Sequence, residues 1–297
     1  VFNPVAYVTD SQNNRILRLE WDKASHATPV KITVAVDGLN DPWDCVIVDN
    51  KLYVTERGAD AIISFTIPAP DDADKKLGPR IVELTGPSDY ATIVNRVGYR
   101  LKPIAEVRAQ PCVKPEGLFY QDGYLYFGSR PMEALHRMKV SDRTWEPYYE
   151  VPESVMSGSQ YFKFAMSDGT FGPKGTAFFQ FWSSNSLNGL PYAVLPDKTV
   201  WNYSAVGDGN GPGMTWTEYV YGSSVAVGNN CMVFSSAAYG LFKIYKSNGE
   251  TTYGWDKYYK PANEAWNKTG FKQVYGEGGL HGHSNQLPFG HSSDTDN

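Results

Sequence analysis

Lys51-Leu52-Tyr53-Val54-Thr55-Glu56, then Arg57-Gly58-Ala59-Asp60, then Ala61-Ile62-Ile63-Ser64-Phe65 is the stretch that decides the fold. An alternating strand ends in a charged residue, a tight polar turn follows, and a second alternating strand begins. The same phrase occurs at Tyr7-Val8-Thr9-Asp10 with Arg15-Ile16-Leu17-Arg18-Leu19, and at Leu125-Tyr126-Phe127-Gly128-Ser129 with Ala134-Leu135-His136-Arg137-Met138. Equivalent positions are Ala6, Leu52, Leu125, Ala177 and Met232, in steps of about 46, 73, 52 and 55 residues. Such steps fit four-stranded blades of roughly 40–50 residues with loop insertions. The chain is therefore expected to be all-β, a single β-propeller domain over residues 1–297 with five to six four-stranded blades.

Each phrase after the first is preceded by a further strand, at Cys45–Asp49, Gly117–Gln121, Phe162–Ser167 and Ser224–Gly228. In a propeller that strand lies nearest the axis. The first phrase has none, because Val1 is already close to Tyr7. The C-terminal stretch around His283–Phe289 is expected to supply it, so that N- and C-terminal strands mix in one blade and close the ring without an open edge. Arg80–Gln110 is long enough to hold a sixth blade. Asp71-Asp72-Ala73-Asp74 reads as a solvated loop more readily than a calcium site, and Asp208-Gly209-Asn210-Gly211 reads as a turn.

The chain has a formal net charge of −5, which argues against nucleic acid and anionic membrane as partners. No apolar run approaches the roughly 20 residues of a membrane helix. Aromatic residues make up 14% of the chain, a content that suits strand cores and also sugar or other planar ligands. The start at Val1 and the sequons Asn202-Tyr203-Ser204 and Asn267-Lys268-Thr269 lead us to expect a processed, secreted glycoprotein. With Cys45, Cys112 and Cys231 there is no disulfide framework, and a single Cys45–Cys112 bridge stands against free thiols.

Pro42-Trp43-Asp44-Cys45-Val46-Ile47-Val48-Asp49 followed by Lys51–Glu56, and Pro115-Glu116-Gly117-Leu118-Phe119-Tyr120 followed by Gly123–Phe127, resemble repeats of the six-bladed NHL-like superfamily. That group holds gluconolactonase- and paraoxonase-type hydrolases, strictosidine-synthase-like proteins and yellow/royal-jelly proteins; Phe178–Leu195 resembles the last of these. The resemblance implies a propeller, and it implies either an enzyme or a binder. In the gluconolactonase-like enzymes an acidic residue at the start of an inner strand binds a central divalent metal. Glu116 matches that place, while Asp44 and Ser223 are the nearest residues at the other inner strands and complete no Asn/Asp set.

On an extended segment His281, His283 and Asn285 share one face, and two imidazoles at that spacing can chelate a metal. The same histidines also read as a polar tail. Strand ends bring Asp10, Glu56, Arg57, Ser129, Arg130, Ser183 and Ser235 to one mouth, where Arg57 and Arg130 suit an anionic group or pair with local glutamates. His136, in the alternating strand Ala134–Val140, reads equally as a site residue or as a satisfied core histidine. No Gly-x-Ser-x-Gly elbow, phosphate loop or dinucleotide fingerprint is present.

These features predict a secreted propeller enzyme, a hydrolase or lyase acting on a small or saccharide substrate. His281, His283 and Glu116 are its expected catalytic residues and ligands of a calcium- or zinc-like ion. Arg57, Arg130, Asp44, Asn285 and Trp43 are its expected ligand-binding residues. A non-catalytic glycan or ligand binder using Trp43, Trp182 and Trp216, or an assembly component, is the alternative.

Overall fold

The computed structural model describes residues 5–21, 29, 31–69, 76–87, 89–93, 100–129 and 131–151, and beyond these the strand segments named below with 196–198. The chain forms two compact units, Val1–Met132 with His136–Tyr148, and Glu133–Leu135 with Tyr149–Asn297. The described elements are strands in antiparallel sheets with two short helices. Among the described residues no helix is long and apolar enough to cross a membrane.

The first unit begins with β1 (Val5–Asp10), β2 (Arg15–Glu20) and β3 (Lys31–Val36), a three-stranded sheet in sequence order. Next come β4 (Pro42–Val48), β5 (Lys51–Glu56), β6 (Ala61–Thr66) and β7 (Ile81–Thr85), a four-stranded sheet in sequence order. Helices α1 (Tyr90–Ile93) and α2 (Ile104–Arg108) precede β8 (Pro115–Gln121), β9 (Tyr124–Ser129), β10 (Ala134–Lys139) and β11 (Trp145–Glu150), again an ordered four-stranded sheet. In the second unit β12 (Ala165–Phe171), β13 (Ala177–Trp182), β14 (Leu190–Val194) and β15 (Val200–Asn202) form a fourth sheet. A fifth is built from β16 (Gly222–Gly228), β17 (Cys231–Ser236), β18 (Phe242–Ser247) and β19 (Tyr253–Gly254), with β20 (Ser293–Asp294) lying parallel to β16. Within each unit these up-and-down sheets pack through their first strands, β1 on β4 and β4 on β8 in the first and β12 on β16 in the second, as propeller blades do.

Among the described residues the first sheet has three strands, with β1 at its edge. His283–Phe289, expected to supply its inner strand, lies outside the described residues. Arg80–Gln110 does not read as a sixth blade: β7 completes the second blade, and the described residues after it carry α1 and α2.

The two-residue period of β5 and β6 has a direct use. Leu52, Val54, Ala61, Ile63 and Phe65 pack towards the first blade with Ile16, Ala35 and Leu39. Tyr53 and Ile62 point the other way and pack with Leu84, Cys112, Leu118, Leu125, Phe127 and Met138 towards the third. Both faces of the second blade are therefore buried, and truncating Ile62 to Ala would cost roughly 2–5 kcal/mol. The same geometry removes the disulfide. Cys45 packs on the first-blade side, with its thiol on the Tyr7 carbonyl at 3.6 Å, and Cys112 lies in the opposite core, so both are free.

Three turns repeat with their hydrogen bonds. Asn14, Asp60 and Glu133 adopt left-handed conformations (φ 54°, 51° and 46°). Their carbonyls accept from the N–H of Leu39, Gly86 and Val151, at 2.9, 2.7 and 3.1 Å, which ties each turn to the exit of its own blade. In the first two repeats the turn side chain also reaches the next blade: Asn14 Oδ1 accepts from Asp41 N–H at 2.9 Å, and Asp60 Oδ1 from Lys114 N–H at 2.7 Å. Asp41 and Lys114 are themselves left-handed (φ 53° and 42°), and each precedes the proline that opens an inner strand.

Candidate functional site

Inner strands β4 and β8 are irregular at the same place. Their pairing shifts register between Pro42 and Cys45, and between Pro115 and Leu118. Trp43-Asp44 and Glu116-Gly117 are thus bulged out of the ladder in consecutive repeats. Bulges re-aim side chains and are common beside functional sites.

Arg57, in the turn after β5, spans both bulges. Its guanidinium lies 4.0 Å from the centre of the Trp43 ring. Its Nε pairs with Asp41 Oδ2 at 2.7 Å and its NH1 with Glu116 Oε1 at 3.3 Å. Arg57 is one-fifth exposed, whereas the Glu116 side chain is 2% exposed. Although burial alone would lower it, the pKa of Arg57 rises, because Glu116 and Asp41 favour the charged guanidinium. Lys114 moves down, by burial first and by repulsion from Arg57 second. Asp60, buried beside Lys114, is pushed up to about 6 by desolvation, against the Lys114 N–H bond that lowers it.

Asp44 fastens the next blade. Its Oδ2 accepts from Leu118 N–H at 2.7 Å, and its Oδ1 accepts from Cys45 N–H at 2.7 Å. The structure therefore brings together four residues singled out from the sequence: Trp43, Asp44, Arg57 and Glu116. It adds Asp41 and Thr55, which sequence reasoning missed. The available signal was positional: Asp41 matches Lys114 before the inner-strand proline, and Thr55 matches Thr9 in the preceding repeat.

Other expectations fare differently. Arg130, His281, His283 and Asn285 lie outside the described residues, as does Trp216. Arg57, expected either to hold an anion or to pair with local glutamates, pairs with Asp41 and Glu116. Asp41, Asp44, Asp60 and Glu116 outnumber Arg57 and Lys114 around these bulges. Trp43 is 7% exposed and capped by Arg57, which leaves it no open face for a sugar. Among the described residues no group of three His, Cys, Asp or Glu could hold a metal ion, and Glu116 Oε1 is paired with Arg57; the other two expected ligands, His281 and His283, lie outside the described residues. His136 is a core residue, 1% exposed and stacked on Trp145 at 5.5 Å. Burial, then the charge of Arg108, lowers its pKa to about 4. The Pro111 backbone pulls the other way and offsets this only in part.

No protein-family profile matches this chain, and no curated protein does. Solved structures similar to it include a structural-genomics target assigned as a gluconolactonase, with 13% identity, TM-score 0.44, and coverage of 74% of this chain and 64% of that one. Another is the nidogen/laminin complex, with 10% identity, TM-score 0.47, and coverage of 82% and 78%. A third is the calcium-binding protein regucalcin from Agrobacterium tumefaciens, with 8% identity, TM-score 0.42, and coverage of 71% and 55%. The chain spans less than two thirds of the length of the first and third of these.

Proposed function

We propose that this protein is a secreted propeller enzyme of the hydrolase or lyase class. It takes a small neutral or saccharide-type substrate at the bulged starts of β4 and β8, with Glu116 as the carboxylate that moves a proton. The observation that carries this reading is the Arg57 guanidinium held between Asp41 and Glu116 across two consecutive bulges. A carboxylate oriented by a guanidinium can accept a proton from an attacking water or from a substrate C–H. The surplus of carboxylates supports a neutral substrate over an anionic one. Arg57 is the solvent-facing member of the pair, so its withdrawal towards Asp41 is the motion that admits a substrate to Glu116. His281, His283 and Asn285 belong to the proposal as further polar groups from the C-terminal row, and Arg130 as a second guanidinium.

The test is a panel of neutral esters, lactones and glycosides, run on the wild type and on Glu116→Gln, His281→Ala and His283→Ala. Turnover of one substrate class, lost by at least a hundredfold in Glu116→Gln, is the expected result. Unchanged turnover in Glu116→Gln overturns it. Burial of Glu116 favours a second reading, a ligand binder without chemistry. Saturable binding with no turnover across the panel would establish that one instead.

A further inference from the structure

We infer that Thr55 is a positioning residue that fixes the second bulge and so sets the Glu116 side chain on Arg57; this rests on the role of Glu116 proposed above. Thr55 is fully buried. Its Oγ1 accepts from Asp44 N–H at 3.0 Å and donates to the Glu116 carbonyl at 2.7 Å. A hydroxyl has a single proton to give. The Asp44 carbonyl is a second acceptor at 3.3 Å, and the shorter contact assigns the proton to Glu116.

The hydroxyl and the Asp44 carboxylate act on either side of one residue. Thr55 holds the Glu116 carbonyl, and Asp44 Oδ2 holds the Leu118 N–H at 2.7 Å, so Gly117 is bracketed from both directions. These are the backbone groups that the bulge between Pro115 and Leu118 removes from the regular ladder. Pinning them fixes where the Glu116 side chain leaves the strand, while Arg57 holds its far end. The preceding repeat carries the same device: Thr9 Oγ1 donates to the Trp43 carbonyl at 2.8 Å. The two threonines thus serve the two bulges whose side chains meet at Arg57. The third repeat has Gly128 at this position, with no hydroxyl to offer.

The experiment compares Thr55→Val with Thr55→Ser, reading amide hydrogen exchange at Leu118 and the Arg57 guanidinium N–H signals by NMR. Neither readout needs a substrate. Thr55→Val keeps the shape and removes the hydroxyl; Leu118 is expected to exchange roughly tenfold faster and the Arg57 signals to broaden, with Ile63 unchanged. Thr55→Ser is expected to behave as wild type. Should Thr55→Val not fold, Thr55→Cys, a weaker donor of similar size, is expected to give an intermediate shift. Wild-type exchange and wild-type Arg57 signals in Thr55→Val, or in Thr55→Cys where that is the folded variant, overturn the inference. So does a Thr55→Ser variant as perturbed as Thr55→Val. Unchanged turnover in Glu116→Gln would sink the catalytic reading and leave this result standing.

Discussion

The guanidinium of Arg57 lies over the ring of Trp43, 4.0 Å from its centre, and shields the pairing of Arg57 with the buried Glu116. Removing Arg57 takes a counter-charge from a carboxylate that is almost out of reach of water. Arg57→Ala is expected to lose about 2 kcal/mol in urea unfolding. The double variant Arg57→Ala/Glu116→Gln is expected to recover much of it, because the buried charge is gone. A single variant as stable as wild type would show that the pair holds nothing in place. Arg57→Lys is expected to fall between them, since an ammonium cannot fork to Asp41 and Glu116 together.

Asp60 sets a pH dependence. Its folded pKa of about 6 lies above its ordinary value of 3.8, through burial beside Lys114 and Cys112. An acid with a raised folded pKa contributes most stability below its unfolded value and loses it as pH rises through about 6. Asp60→Asn keeps the acceptor for the Lys114 N–H, as Asn14 does for Asp41 one repeat earlier. It is expected to match wild type at pH 4 and to gain about 1 kcal/mol at pH 8, after allowance for solvent screening. Equal pH profiles for the two proteins would contradict this.

His136 acts in the opposite limb. Its folded pKa of about 4 lies below the ordinary 6.5, so its contribution is complete above 6.5 and is lost as pH falls towards 4. His136→Phe keeps a ring against Trp145 and cannot take a proton. The acid limb of its stability curve is expected to be shallower than wild type by about 2 kcal/mol between pH 6.5 and 4. Parallel acid limbs would overturn the assignment.

Gly86 closes the second blade onto the third. Its N–H donates to the Asp60 carbonyl at 2.7 Å, and a Cβ at this position would collide with the Cys112 carbonyl oxygen. Backbone cannot turn aside as a side chain can. Gly86→Ala is expected to cost at least about 2 kcal/mol in thermal or urea unfolding. Gly58→Ala meets mainly the Asn40 side-chain amide, which can rotate, and should cost less. Equal losses at the two positions would show that the Cys112 contact is not decisive.

The candidate site was half legible. Trp43, Asp44, Arg57 and Glu116 stand out because they sit at the inner-strand starts and strand-end turns that recur from repeat to repeat. Asp41 was silent because an aspartate before a proline reads as a turn residue, and its pairing with Arg57 depends on how the turn after β5 folds back. Thr55 was silent because a threonine at a strand end has good local reasons to be there; that its hydroxyl reaches residue 116 is invisible in one dimension. That Arg57 pairs with Glu116 rather than with a glutamate near it in sequence is invisible for the same reason.

Taken by itself, the sequence determined the strand–turn–strand repeats and the ordered four-stranded blades. These follow from two-residue alternation and turn chemistry, which act between near neighbours. Only the tertiary structure decided which charges meet. Arg57 and Glu116 are 59 residues apart, and nothing local couples them. Stacking the second blade on the third buries Glu116 where water can no longer solvate its carboxylate, and a buried carboxylate needs a cation within reach.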